Sequence, residues 1–149
     1  MTFMKLIVCL VWLAPPFLTA REAKVTEVLS KNLSGLPGKE GLMITVEYPP
    51  GASDPIHRHN AHGFIYVLEG SVVMQVKGGK EVALTSGQSF YEGPDDIHVV
   101  GRNASQTQPA KFVVFLVKDR GAPVFIPANE SPGSVIGAQC GQVIRCGKS

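Results

Sequence analysis

The chain has 149 residues, a formal charge of +2, four histidines, three cysteines and a single tryptophan. A charge so near zero, with no run of basic residues, excludes nucleic acid and an anionic membrane surface as the main partners. The length suits one domain with a core of its own.

Residues 1–20 carry one charge, Lys5, then an apolar run over 6–13, then Ala-Pro-Pro-Phe-Leu-Thr-Ala. A basic start, a short apolar stretch and a small-residue end are the pattern of a secretory signal peptide. The run is too short to span a bilayer, and Pro15-Pro16 interrupt it. Residues 1–20 are therefore expected to be cleaved after Ala20. The mature protein is then exported, periplasmic or extracellular, with no membrane attachment. Cys9 and Trp12 leave with the signal, and the remainder carries 13 basic against 12 acidic side chains.

Residues 22–127 show no stretch of helical periodicity. Short segments rich in Val, Ile, Phe and Tyr recur instead, at 24–29, 42–48, 64–68, 72–77, 81–84, 89–92, 97–101 and 112–118, separated by Gly, Pro, Asn and Asp. Within 72–77, Val72, Met74 and Val76 alternate with Val73, Gln75 and Lys77, the mark of a half-buried strand. Gly78-Gly79 then predicts a tight hairpin, because a primed turn needs a positive φ that glycine adopts freely. Phe64, Tyr66 and Leu68 share one strand face with Ile65 and Val67 on the other, which predicts cover on both sides. About eight short strands of this kind favour an antiparallel sandwich or jelly-roll barrel. Residues 128–149, rich in glycine, read as a poorly ordered tail. Cys140 and Cys146 lie in it; export permits a disulfide, and two free thiols are the alternative that spacing leaves open. Asn32, Asn103 and Asn129 each open an Asn-x-Ser pattern, read as chance.

All four histidines fall between positions 57 and 98, three of them in His57-Arg58-His59-Asn60-Ala61-His62. On a strand, i and i+2 point the same way, so His57 and His59 would project two imidazoles as a chelate for a transition metal. Arg58 would face away as a surface residue.

The surroundings of these histidines resemble the cupin superfamily. Gly51, the His57-Arg58-His59 run, Gly63 and Gly70 follow its first signature, and Phe64 to Gly70 looks like the strand after its histidine pair. Gly87, then Phe90-Tyr91-Glu92-Gly93-Pro94-Asp95-Asp96-Ile97-His98, closing at Asn103, follows the second. One such pair implies a single domain, over residues 21–127, with the all-β double-stranded β-helix (jelly-roll) fold. The family places Glu where this chain has Gly63, Pro-x-Gly where it has Gly93-Pro94-Asp95, and the closing Asn one residue before Asn103.

The resemblance implies His57, His59 and His98 as ligands to one divalent transition metal ion (Fe, Mn, Ni, Cu or Zn), and a homodimer formed through an outer sheet face. For the ligand that Gly63 lacks, His62 ranks first. It reaches inward only if Asn60-Ala61 place it before the strand begins. Water alone ranks second and Glu92 third, as the next side-chain candidate, and Glu69 is too far along its strand. Glu92, Tyr91 and Gln88 are candidate polar helpers, and no side chain is assigned a catalytic role. The function expected is a metal-dependent oxygenase or isomerase acting on a small organic molecule. The alternative is a non-catalytic metal- or small-ligand-binding protein.

Overall fold

The computed structural model describes residues 22–128. Ten strands and no helix form among them: β1 (Lys24–Asn32), β2 (Lys39–Tyr48), β3 (His57–Arg58), β4 (His62–Glu69), β5 (Ser71–Val76), β6 (Val82–Thr85), β7 (Ser89–Glu92), β8 (His98–Asn103), β9 (Ala110–Asp119) and β10 (Ile126–Pro127). They make two antiparallel five-stranded sheets, ordered β1-β2-β9-β4-β7 and β10-β3-β8-β5-β6. This is the jelly-roll barrel that the family resemblance implies, and one of the two architectures that the spacing of apolar runs and turn residues allows. The segment expected to be a signal peptide, residues 1–20 with Cys9 and Trp12, and the expected tail with Asn129, Cys140 and Cys146 lie outside the described residues.

Alternation builds the core. Leu42, Ile44, Val46 and Tyr48 of β2, and Phe112, Val114 and Leu116 of β9, turn their side chains inward beside Ile65 and Val67 of β4. Val72 and Met74 face them from the other sheet, and the Tyr48 and Phe112 rings meet edge to face at 5.1 Å. Burying side chains of this size stabilises the barrel by about 1.5–3 kcal/mol each. Asn103 is 1% exposed; its Nδ2 donates to the carbonyls of Tyr48, Pro49 and Gln108 while its Oδ1 accepts from Ser105 N–H. That amide latches the end of β8 to the end of β2, and has no room for a glycan. At the other end Lys118, buried on β9, pairs with Glu40 and donates to the Ala122 carbonyl at 2.6 Å. This fixes the turn from which residues 122–128 cross the barrel mouth.

Two expectations need correction. The β5–β6 connection is a loop over residues 77–81 rather than a two-residue turn. Gly78 takes the positive φ, 79°, and Gly79 N–H closes the turn onto Val76 O. The loop lengthens because Val76 pairs with His98 of β8, and Lys77 N–H bonds to Ile97 O, instead of continuing the ladder to β6. The second concerns β4. Its inner face is buried, but Phe64 and Tyr66 on the outer face are 50% and 47% exposed. Register places Leu29, Met43, Phe115, Phe64 and Tyr91 side by side across all five strands of that sheet. An apolar row therefore runs over the outer face of that sheet with no described residue covering it.

Candidate metal centre

His57 and His59 lie on and just beyond β3, a strand of two residues held between β10 and β8. Its alternation turns His57 and His59 into the barrel and leaves Arg58 exposed. His98 opens β8 directly opposite His57, so the strand pairing itself brings the third imidazole to the first two. One nitrogen from each of the three lies within 4.8 Å of the others.

Backbone carbonyls decide which nitrogens face inward. His57 Nδ1–H donates to Pro55 O at 2.8 Å, and His59 Nδ1–H donates to Val124 O. A carbonyl only accepts, so each ring must carry its proton on Nδ1 and turn Nε2 to the centre. The two Nε2 atoms stand 3.2 Å apart. In neutral rings they would oppose two lone pairs, so a cation belongs there: a proton on one ring, or a metal ion between them. His98 is buried and neither of its ring nitrogens makes a hydrogen bond. A polar group so left costs about 1–3 kcal/mol, which a metal ligand bond would relieve. This donor set fits a transition-metal ion, for which imidazole is a common ligand.

Glu92, the last residue of β7, completes the ring of polar groups. Its side chain is buried, with Oε1 3.3 Å from His59 Nε2 and Oε2 3.5 Å from His98 Nδ1. Burial favours a neutral carboxyl, but the His59 hydrogen bond and the imidazoles around it outweigh that and hold Glu92 below the usual carboxylate range. Burial likewise opposes charge on His59, yet Glu92 overrides it and raises the His59 pKa. His57 has no such partner, and burial lowers its pKa.

His62 is not brought to the cluster. β4 begins at His62 itself, after Asn60 turns the chain with a φ of 48°, so alternation applies from there. The ring faces out, exposed, with Nδ1 2.8 Å from the Tyr91 hydroxyl. Glu92, not His62, is the group beside the three imidazoles. Of the other helpers, Tyr91 is on the outer face and Gln88 caps Thr85 N–H in a turn.

The cluster lies in a cavity of about 300 Å³ whose walls include Ile44, Val46, Met74 and Phe112. Sequence reasoning missed two features of it. Tyr48, buried, donates its hydroxyl to Asp54, and burial together with the Asp54 charge raises its pKa. Residues 122–128 close one side: Phe125 stacks on His57 at 4.5 Å beside the Val124 carbonyl that orients His59. No local pattern announces either contact: Tyr48 and Asp54 are brought together only by the turn between them, and Phe125 and Val124 lie far from the histidines in sequence.

A family model described as Cupin domain matches residues 44–116. Among solved structures, an uncharacterized conserved protein with a double-stranded β-helix domain from Klebsiella pneumoniae superposes with a TM-score of 0.58 at 21% identity, covering 73% of this chain and 86% of its own. The DMSP lyase DddQ from Ruegeria pomeroyi gives 0.52 at 20% identity, covering 58% and 42%. Oxalate oxidase in complex with the substrate analogue glycolate gives 0.54 at 22% identity, covering 71% and 55%. The matched region is less than two thirds of the length of either enzyme. At such identities the likeness is one of fold. No curated protein matches the chain.

Proposed function

Since the chain belongs to the cupin superfamily through residues 44–116, we propose that it is an exported protein in which His57, His59 and His98 hold one divalent transition metal ion and present it to a small organic molecule. The reaction class is that of a metal-dependent oxygenase or isomerase. The observation that carries this reading is the pair of carbonyl-locked imidazoles with Nε2 atoms 3.2 Å apart, facing a buried His98 without hydrogen bonds. When bound, such an ion supplies Lewis-acid or redox chemistry. The chain's own contribution is a cavity with mostly apolar walls and its polar groups gathered around the imidazoles. Among the described residues no Lys or Arg lines it, and its charged lining groups besides the histidines are Asp54 and Glu92. A ligand with one metal-binding head and an uncharged apolar body suits that wall better than a dianion. Export rests on the pattern of residues 1–20, and N-terminal sequencing of mature protein beginning at Arg21 tests it.

A non-catalytic binding protein is the second reading, favoured if the ion is tetrahedral, since the buried carboxylate beside the three imidazoles would then close the site; an octahedral ion keeps two positions open for the organic molecule. The row of Leu29, Met43, Phe115, Phe64 and Tyr91, which no described residue covers, supports a homodimer, with a second copy laid on that face. Elemental analysis of protein purified without an affinity tag tests the metal centre. About one ion per chain is expected, and none in the folded His57→Ala/His98→Ala variant. Unchanged metal content in that variant refutes it. Redox-active iron or copper favours the oxygenase, and tetrahedral zinc the binding protein.

A further inference from the structure

We propose that Glu92 is the fourth protein ligand of this centre, reaching it across the β4–β7 ladder through room that Gly63 leaves open. The proposal rests on the three-histidine reading above and adds a ligand from another strand. Gly63 faces inward on β4, directly opposite Glu92 in register. It is not among the glycines with positive φ, so its backbone does not demand glycine. Space does. A Cβ built on Gly63 would lie 2.9 Å from Glu92 Cγ and 3.1 Å from Oε1, with Leu116 Cδ2 behind at 3.4 Å. One pocket of volume beside the imidazoles is thus reachable from two facing positions. It holds a side chain from one strand only if the other is glycine. Here the carboxylate comes from β7.

The chemistry suits a ligand. Oε1 stands 3.3 Å from His59 Nε2, which itself stands 3.2 Å from His57 Nε2. Neighbouring donors on one ion are spaced about 3.0–3.4 Å apart when each bond is about 2.1 Å. A carboxylate also offsets one charge of a divalent ion that three neutral imidazoles leave whole, which matters where Glu92, His57 and His98 are all buried.

Titration with Co²⁺, followed by calorimetry and by the visible absorption of the ion, tests the assignment on untagged protein. Glu92→Gln should weaken Co²⁺ binding by about tenfold or more and change the absorption bands. His62→Ala should leave both unchanged. The exchange Gly63→Glu/Glu92→Gly, which returns the carboxylate from the facing strand, should recover most of the lost affinity. On the wild-type chain, which needs no variant to fold, Co²⁺ should shift a carboxylate stretching band in the infrared difference spectrum. Glu92→Gln, folded by circular dichroism, binding Co²⁺ as wild type does overturns the fourth ligand and leaves the three-histidine centre standing. So does a wild-type infrared spectrum with no carboxylate change on binding. A wild-type chain that takes up no Co²⁺, Zn²⁺ or Mn²⁺ overturns both.

Discussion

Replacing Gly63 with alanine measures the crowding between β4 and β7 directly. The new methyl would sit 2.9 Å from Glu92 Cγ, a mid-chain atom that cannot swing aside without moving the carboxylate. Overpacking of this kind costs about 1–3 kcal/mol. Against it, alanine removes backbone freedom from the unfolded chain and contributes about 0.5–1 kcal/mol, since no positive φ is required. Gly63→Ala should therefore be neutral to about 2.5 kcal/mol less stable. In a Glu92→Ala background the obstacle is gone, and the same substitution should stabilise by about 0.5–1 kcal/mol. The coupling between the two sites is then about 1–3 kcal/mol. Urea unfolding of the four proteins in the double-mutant cycle reads it, with chelator present so that bound metal adds nothing to the folded state. An equal effect of Gly63→Ala in both backgrounds would refute the claim that Gly63 is glycine to make room for Glu92.

The Glu92–His59 pair gives the metal-free protein a pH signature. His59, raised above 6.5, contributes stability that is full below that value and lost as pH rises through its folded pKa. Glu92, held below 4.5, contributes stability that is full above that value and lost as pH falls through its folded pKa. The stability difference between wild type and Glu92→Gln should thus be greatest between pH 4.5 and 6.5, at about 1.5–3 kcal/mol, with the burial of His57 common to both proteins. A difference that grows above pH 8 would contradict it. Asn103→Ala removes a shared donor from three backbone carbonyls, of which Pro49 O keeps the Ala52 N–H, and leaves the Ser105 N–H without its acceptor; it should lower stability by about 2–4 kcal/mol in urea unfolding; a change under 1 kcal/mol would discount the latch. Sedimentation equilibrium should show a dimer that Phe64→Lys/Tyr66→Lys converts to monomer, whereas a monomeric wild type would leave the apolar face for another role.

How far the sequence reaches is set by the range of the contacts involved. Each of the eight expected segments falls on a strand, because a two-residue repeat and its turn glycines are local properties of the chain. The His57–His59 pair is local in the same way, since an i, i+2 spacing on extended chain puts both side chains on one side. β3 and β10 have no legible pattern, since a strand of two residues carries no repeat and exists only because its neighbours pair with it. The group beside the three imidazoles is hard to read for a related reason. His62 is nearest in sequence, but a strand that starts at His62 sends it outward, and no local signal marks that start. Glu92 meets the histidines only through the register of β7 on β4, where a slip of one residue would turn it to solvent and bring Tyr91 in. The Val124 carbonyl orients His59 across 65 residues of chain, so no window of sequence contains both. Strand, turn and histidine pair are written in neighbouring residues. The shape of the site, the choice of carboxylate and the direction of each nitrogen depend on register and backbone partners, which only folding brings together.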